Sequence, residues 1–168
     1  EGKSITVIAK KKWVGGAKKT ELRWQKLTKI SVHYFTDRGG NIVQGVLDKD
    51  KAWHGGSSWA NKATIGIEMC GQPNVGAKGG KTKEGDPIAP NPEYAPMYDE
   101  VLLNTTAKLC ATLCKRWNIP IKHVTTKTAG ICGHDSFSAN RSDPGTKTGN
   151  FNWPDFIARV QKAAATIL

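Results

Sequence analysis

A chain of 168 residues fits a single domain and is long enough to bury a core without disulfide or metal staples. Its 25 Lys and Arg against 14 Asp and Glu leave a formal charge of +11, which favours an anionic partner: nucleic acid, a membrane surface or an acidic cell-wall polymer. No apolar run approaches the roughly 18–20 residues that cross a bilayer, so membrane insertion is not expected, and the opening Glu1–Lys10 shows no export signal.

Ser4 to Ala9 is β-branched and apolar, the pattern of a short strand buried on both faces. A basic connection over Lys10 to Lys19 leads into Lys18 to Leu27, which has helical character with Leu22 and Trp24 as its apolar contribution. Ile30–Thr36 and Asn41–Val46 flank Asp37-Arg-Gly-Gly40, which predicts a hairpin. His33 lies mid-strand in an apolar run and reads first as a satisfied core histidine. Ala52-Trp-His-Gly-Gly56 is irregular, its glycines allowing close backbone approach.

Thr64 to Cys70 reads as a strand with Ile65, Ile67 and Met69 on one face and Gly66, Glu68 and Cys70 on the other. Gly71 to about Pro96 is a long connection rich in Gly, Pro, Lys and Asn, the composition of a functional lid or mobile segment. From Met97, Leu102, Thr105, Leu109, Leu113 and Trp117 recur at helical spacing, and the helix should end near Asn118-Ile-Pro120. His123 is expected to face solvent. Val124 to Cys132 can finish as a strand, with His134 at its C-terminal end.

Phe151-Asn-Trp-Pro-Asp opens a last helix with Pro154 in its first turn, and Phe156, Ile157, Val160, Ala164 and Ile167 form its buried stripe. The fold class is therefore α/β, a central mixed β-sheet flanked by helices, in one domain over residues 1–168. Four cysteines, Cys70, Cys110, Cys114 and Cys132, lack zinc-ribbon spacing. Cys110 and Cys114 read as small buried residues, while Cys70 and Cys132 leave a disulfide open should their strands be neighbours.

The chemistry concentrates in Gly130 to Gly145. A loop that leaves a strand and turns back at Asp143-Pro-Gly brings His134 and Asp143 within a few ångströms, as metal ligands require. The bland alternative is a surface histidine and a turn aspartate. Glu68, set among apolar residues at a strand end, is costly there unless it has a partner or a task. Together these suggest a zinc hydrolase, in which the metal lowers the pKa of a bound water from about 15.7 to about 7 and Glu68 takes the proton. Arg141 is placed to reach a developing oxyanion, or is a solvated surface side chain. His54, beside Trp53 and two glycines, suits a substrate contact, or caps a loop.

Ser31-Val-His-Tyr-Phe-Thr-Asp-Arg-Gly-Gly, Ala52-Trp-His-Gly-Gly, Thr64-Ile-Gly-Ile-Glu, Gly133-His-Asp and Arg141-Ser-Asp-Pro-Gly, in that order, resemble the zinc-dependent N-acetylmuramoyl-L-alanine amidases of the type 2 group. These are related to amidase-type phage lysozymes and to peptidoglycan recognition proteins. The resemblance covers about residues 30 to 160. It implies cleavage of the amide between the lactyl group of N-acetylmuramic acid and L-alanine, with His134 and Asp143 as zinc ligands, Glu68 as catalytic acid/base, Arg141 near the reacting carbonyl and His54 at the substrate. It also implies action on the bacterial cell wall, as an endolysin or autolysin, by a monomer. Val32 stands where tyrosine-dependent members carry their tyrosine, which favours the glutamate branch.

One residue departs from that family's pattern. The first zinc ligand is expected as a histidine at the end of the first strand, where this chain has Ile8 or Ala9, and no histidine precedes His33. A binding module that grips muropeptide without cutting it is therefore the second expectation. Nucleic-acid binding rests on charge alone, with no accompanying motif, and specific nucleic-acid binding is not expected. A thiol hydrolase using Cys132 and His134 lacks a third group to orient the histidine.

Overall fold

The computed structural model of the chain describes residues 4–9, 31–70, 80–81, 87–88, 98–137, 141, 143–144 and 151–167. Its central element is a five-stranded sheet of β1 (Ser4–Ala9), β2 (Tyr34–Thr36), β3 (Ile42–Gln44), β4 (Thr64–Met69) and β7 (Ile131–Gly133), in the order β3-β2-β4-β1-β7. Four of these strands run parallel, and β3 turns back antiparallel along β2 at one edge, so the sheet is mixed. A separate ribbon pairs β5 (Gly80–Lys81) with β6 (Pro87–Ile88).

β4 is buried along its whole length, as a central parallel strand covered on both faces should be. Ile65, Ile67 and Met69 join Ile5, Tyr34 and Ile131 in one apolar core, completed by α2 (Glu100–Trp117) and α3 (Trp153–Ala164). α2 packs on β2 and β4, and α3 lies against α2. The short α1 (Ser58–Ala63) packs against β4.

Local chemistry sets the helix ends. The Asp99 carboxylate accepts from the Leu102 amide at 2.8 Å, and Asn118 closes α2 in the left-handed region at φ 51°. Asn152 accepts from the Asp155 amide at 3.1 Å at the start of α3. Phe156 and Val160 are fully buried on α3, each burial contributing about 1.5–3 kcal/mol. The inward threonine of α2 is Thr106 rather than Thr105, and its hydroxyl meets that of Thr36 at 2.7 Å. None of the described helices is long and apolar enough to cross a membrane.

The hairpin forms, but its ladder is shorter than the residue pattern predicts. The His33 carbonyl accepts from both the Gly45 and Val46 amides, at 2.9 and 3.4 Å, and this irregular pairing ends the regular ladder. The strand expected over Val124–Cys132 shrinks to β7, because pairing of Ile131 with Lys122 and Val124 folds the preceding residues into a turn. His123 does not face solvent freely: its ring stacks on Trp153 with centroids 4.1 Å apart.

None of the four cysteines forms a disulfide. Cys70 follows β4 and Cys132 lies in β7, and β1 runs between them. Two strand spacings, roughly 10 Å, exceed the roughly 7 Å limit between Cα atoms of a disulfide. The predicted helix over Lys18–Leu27, and most of the connection from Gly71 to Pro96, fall outside the described residues.

Candidate functional site

Register across the sheet defines the site. Phe35 of β2 and Ile8 of β1 are the Cα partners of Glu68 on either side, and Val7 of β1 is the partner of Gly133 in β7. One residue beyond that last pair stand Ile8 and His134. Glu68, Ile8 and His134 therefore mark the C-terminal ends of three adjacent parallel strands, where open α/β sheets hold their ligands. Glu68 is 4% exposed, so its carboxylate is carried in the protein interior.

His134 opens a short 3-10 turn, His134–Ser136, directly after β7. The Asp135 amide donates to the Asp143 carbonyl at 3.0 Å, and the Tyr98 hydroxyl donates to the Pro144 carbonyl, which folds the returning loop against the strand end. Gly133 is needed for this approach, since a Cβ there would lie 2.4 Å from Asp135 Oδ1 and 2.7 Å from Pro144 Cδ. The result is a contact of 3.0 Å between His134 Nδ1 and Asp143 Oδ2, with side chains only 7% and 13% exposed. His134 Nε2 is buried without a hydrogen-bond partner among the described residues. Burial, and then the charges of Asp143 and Asp135, raise the Tyr98 pKa and keep its hydroxyl protonated.

His54 lies on the same face, directly over Gly66, where a Cβ would come within 2.5 Å of the imidazole Cδ2. Asn61 of α1 fixes the backbone beneath it, its Oδ1 accepting from the His54 and Gly55 amides at 3.0 and 2.7 Å. The ring Nε2 stands 2.7 Å from the Thr64 hydroxyl. Burial is the main force pushing the His54 pKa down to about 3, and neighbouring His33 and His134 add to it against the Ala52 carbonyl, so the ring is neutral at neutral pH.

His33 sits edge-on to His54 with centroids 5.3 Å apart. Its Nδ1 accepts from the Gly66 amide and its Nε2 faces the Asp50 carbonyl, both at 3.0 Å, which puts the ring proton on Nε2. It is the satisfied core histidine that its position in the strand predicts. Beside the turn that carries His134, Trp59 packs on Phe137 at 4.9 Å.

The structure thus brings His134 and Asp143 into contact, sets Glu68 two strands away with β1 between, and places His54 over Gly66 further back along β4. Arg141 is exposed, two residues before Asp143, outside this buried group. Sequence reasoning missed Asn61 and Tyr98, which hold the site from other elements. Their spacing from His54 and Pro144 carries no local periodicity that would have marked them.

Two ligands of a tetrahedral zinc, with bonds of about 2.0–2.1 Å, stand about 3.3 Å apart, so the 3.0 Å pair is spaced to within a few tenths of an ångström of that geometry. The number of donors falls short. A catalytic zinc takes three protein ligands and a water, whereas no three His, Cys, Asp or Glu side chains come together among the described residues. Both His33 nitrogens are engaged by backbone, and the residue level with Glu68 on the intervening strand is Ile8. The described residues do not fit a complete zinc site.

Comparison with known proteins gives the same fold. The chain is similar to the Staphylococcus aureus hydrolase AmiA in complex with its ligand, with a TM-score of 0.68 and 14% identity over 97% of this chain and 73% of that one. It is similar to a mutant endolysin from Bacillus subtilis, with a TM-score of 0.60 and 23% identity over 95% and 85% of the two chains. A third similar structure is the E. coli N-acetylmuramyl-L-alanine amidase AmiD in complex with its anhydro-N-acetylmuramic acid-peptide substrate, with a TM-score of 0.58 and 18% identity over 94% and 57%. No curated protein sequence matches the chain. Residues 6–146 match Amidase_2, N-acetylmuramoyl-L-alanine amidase. The match spans most of the 168 residues and reaches into every strand of the central sheet, and on it the chain belongs to the N-acetylmuramoyl-L-alanine amidase family.

Proposed function

We propose that this chain acts on peptidoglycan at the amide joining the lactyl group of N-acetylmuramic acid to L-alanine. The observation that carries this reading is the buried His134–Asp143 pair at the end of β7, with the buried Glu68 level with it two strands away across β1. Family membership supports the substrate class. The AmiD structure, solved with a muramoyl peptide, and the AmiA structure, solved with a ligand, are consistent with it.

In this reading Glu68 is the acid/base. Its carboxylate accepts a proton as water oxygen bonds to the amide carbonyl carbon, and returns that proton to the L-alanine nitrogen as the C–N bond breaks. His54, uncharged, presents a hydrogen-bonding ring to the substrate. Arg141 lies at the rim, where a cation meets the oxyanion. Were a zinc ion held here, His134 and Asp143 would be the two side chains to hold it, and it would supply Lewis-acid polarisation of the water. The positive charge of +11 draws the chain to the anionic wall, where it works as a monomer.

A second reading, a module that binds muropeptide without cutting it, is favoured by Ile8 at the level of Glu68. Incubation with purified muropeptides separates the two. Mass spectrometry follows release of free peptide with a new L-alanine amino terminus, and calorimetry follows binding. Release supports the amidase, and binding without release supports the module. Neither release nor binding would overturn both.

A further inference from the structure

We propose that position 8 decides whether this site is a metal centre: with isoleucine there, the chain carries a metal-free imidazole–carboxylate pair, and one substitution to a donor residue completes a zinc site. The inference rests on the location of the site given above, and not on its substrate.

Three observations carry it. First, position 8 is the Cα partner of Glu68, and its predecessor Val7 is the partner of Gly133, the residue before His134. Position 8 is therefore level with Glu68, on the strand that runs between β4 and the strand that delivers His134. Second, His134 and Asp143 already stand 3.0 Å apart, with the spacing of two ligands around one ion. They are held by backbone contacts of their own, Asp135 to the Asp143 carbonyl and Tyr98 to the Pro144 carbonyl, so the pair is organised without a metal.

Third, the other nearby imidazoles are otherwise engaged. Both nitrogens of His33 face backbone groups at 3.0 Å. His54 sits over Gly66, two residues back along β4 from Glu68, with its Nε2 on Thr64. An isoleucine has no lone pair to offer. Losing a group that merely orients a metal ligand lowers affinity about 10- to 100-fold, and losing a ligand itself costs at least as much.

The test compares the full chain with Ile8→His and, as a size and polarity control, Ile8→Asn. Cobalt(II) titration reads the visible d–d absorption of a tetrahedral site, elemental analysis counts zinc after dialysis, and thermal melting with and without zinc reads the linked stabilisation. Wild type and Ile8→Asn should retain well under one zinc per chain. Ile8→His should bind one, with affinity raised roughly 100-fold or more, and adding His134→Ala to it should abolish the gain. Should Ile8→His fail to fold, Ile8→Cys, closer in size and able to ligate as a thiolate, is read in the same way.

Stoichiometric zinc in wild type that disappears on His134→Ala overturns the proposal. So does a folded donor variant that binds cobalt no better than wild type. Muropeptide binding and cleavage are measured separately, so failure of the amide reading leaves the metal count intact, and the reverse holds as well.

Discussion

His54 rests directly on the backbone of Gly66, so closely that a Cβ at position 66 would lie 2.5 Å from the imidazole Cδ2 and 2.6 Å from Cγ. Gly66→Ala must therefore displace the ring from Thr64 or shift β4. Overpacking of this kind costs about 1–3 kcal/mol. Urea unfolding reads it directly, and a loss under about 0.5 kcal/mol, within the range of an ordinary surface change, would contradict the packing described.

Burial, with help from His33 and His134, holds the His54 pKa at about 3 in the folded chain, against about 6.5 when unfolded. Between these values the unfolded chain binds a proton that the native chain does not. The contribution of His54 to stability is thus complete above about pH 6.5 and is lost progressively as pH falls toward about 3, with a slope of at most about 1.4 kcal/mol per pH unit. Urea melts at pH 4 to 7 on wild type and His54→Gln should show a shallower slope in the variant. Parallel curves would refute the buried neutral ring.

Glu68→Gln keeps size and hydrogen-bonding shape while removing the base. If the chain cleaves muropeptide, turnover should fall about 10²- to 10⁴-fold, the usual worth of a general acid/base. The melting temperature should change little by comparison. Unaltered turnover in this variant would remove Glu68 from the chemistry.

Asp48 is a polar anchor away from the site. It accepts from Arg116 Nη1 at 2.8 Å, Trp117 Nε1 at 3.0 Å and Gln44 Nε2 at 3.1 Å, and from the Tyr34 hydroxyl. Burial raises its pKa, but hydrogen bonds from Tyr34, Trp117 and Arg116 outweigh burial and leave it lowered. Asp48→Ala should cost about 2–4 kcal/mol at pH 7, mainly from donors left unsatisfied, because the half-exposed Arg116 adds only a screened ionic part. A lowered carboxylate stabilises above its unfolded pKa of about 3.9 and loses that contribution as pH falls through its native value. The gap between wild type and variant should therefore narrow below about pH 4, and a constant gap would argue against the ionised anchor.

Much of the fold was legible because its signals are local. The alternation in Thr64–Met69 and the helical spacing from Leu102 to Leu113 each record which side of an element meets the core. The turn at Asp37-Arg-Gly-Gly40 is equally local, with Gly40 at φ +81° and the Asp37 carboxylate accepting from the Gly39 and Asn41 amides, both at 2.9 Å. The His134–Asp143 contact was also legible, since nine residues with a tight turn between them have few ways to close. His123 was misjudged because its stacking partner, Trp153, arrives from thirty residues further on.

By itself, then, the sequence determined the α/β class, the strand Thr64–Met69, the helices after Asp99 and Asn152 and the His134–Asp143 contact after β7, because each depends on neighbours along the chain. Only the tertiary structure decided the strand order, and strand order settles what segments cannot. It keeps Cys70 from Cys132 by inserting β1, and it takes up both nitrogens of His33 with backbone from β4 and the loop at Asp50. It also sets Ile8 rather than Ala9 level with Glu68. Register between parallel strands is fixed by hydrogen bonds between segments distant in the chain, and no periodicity within either segment encodes it.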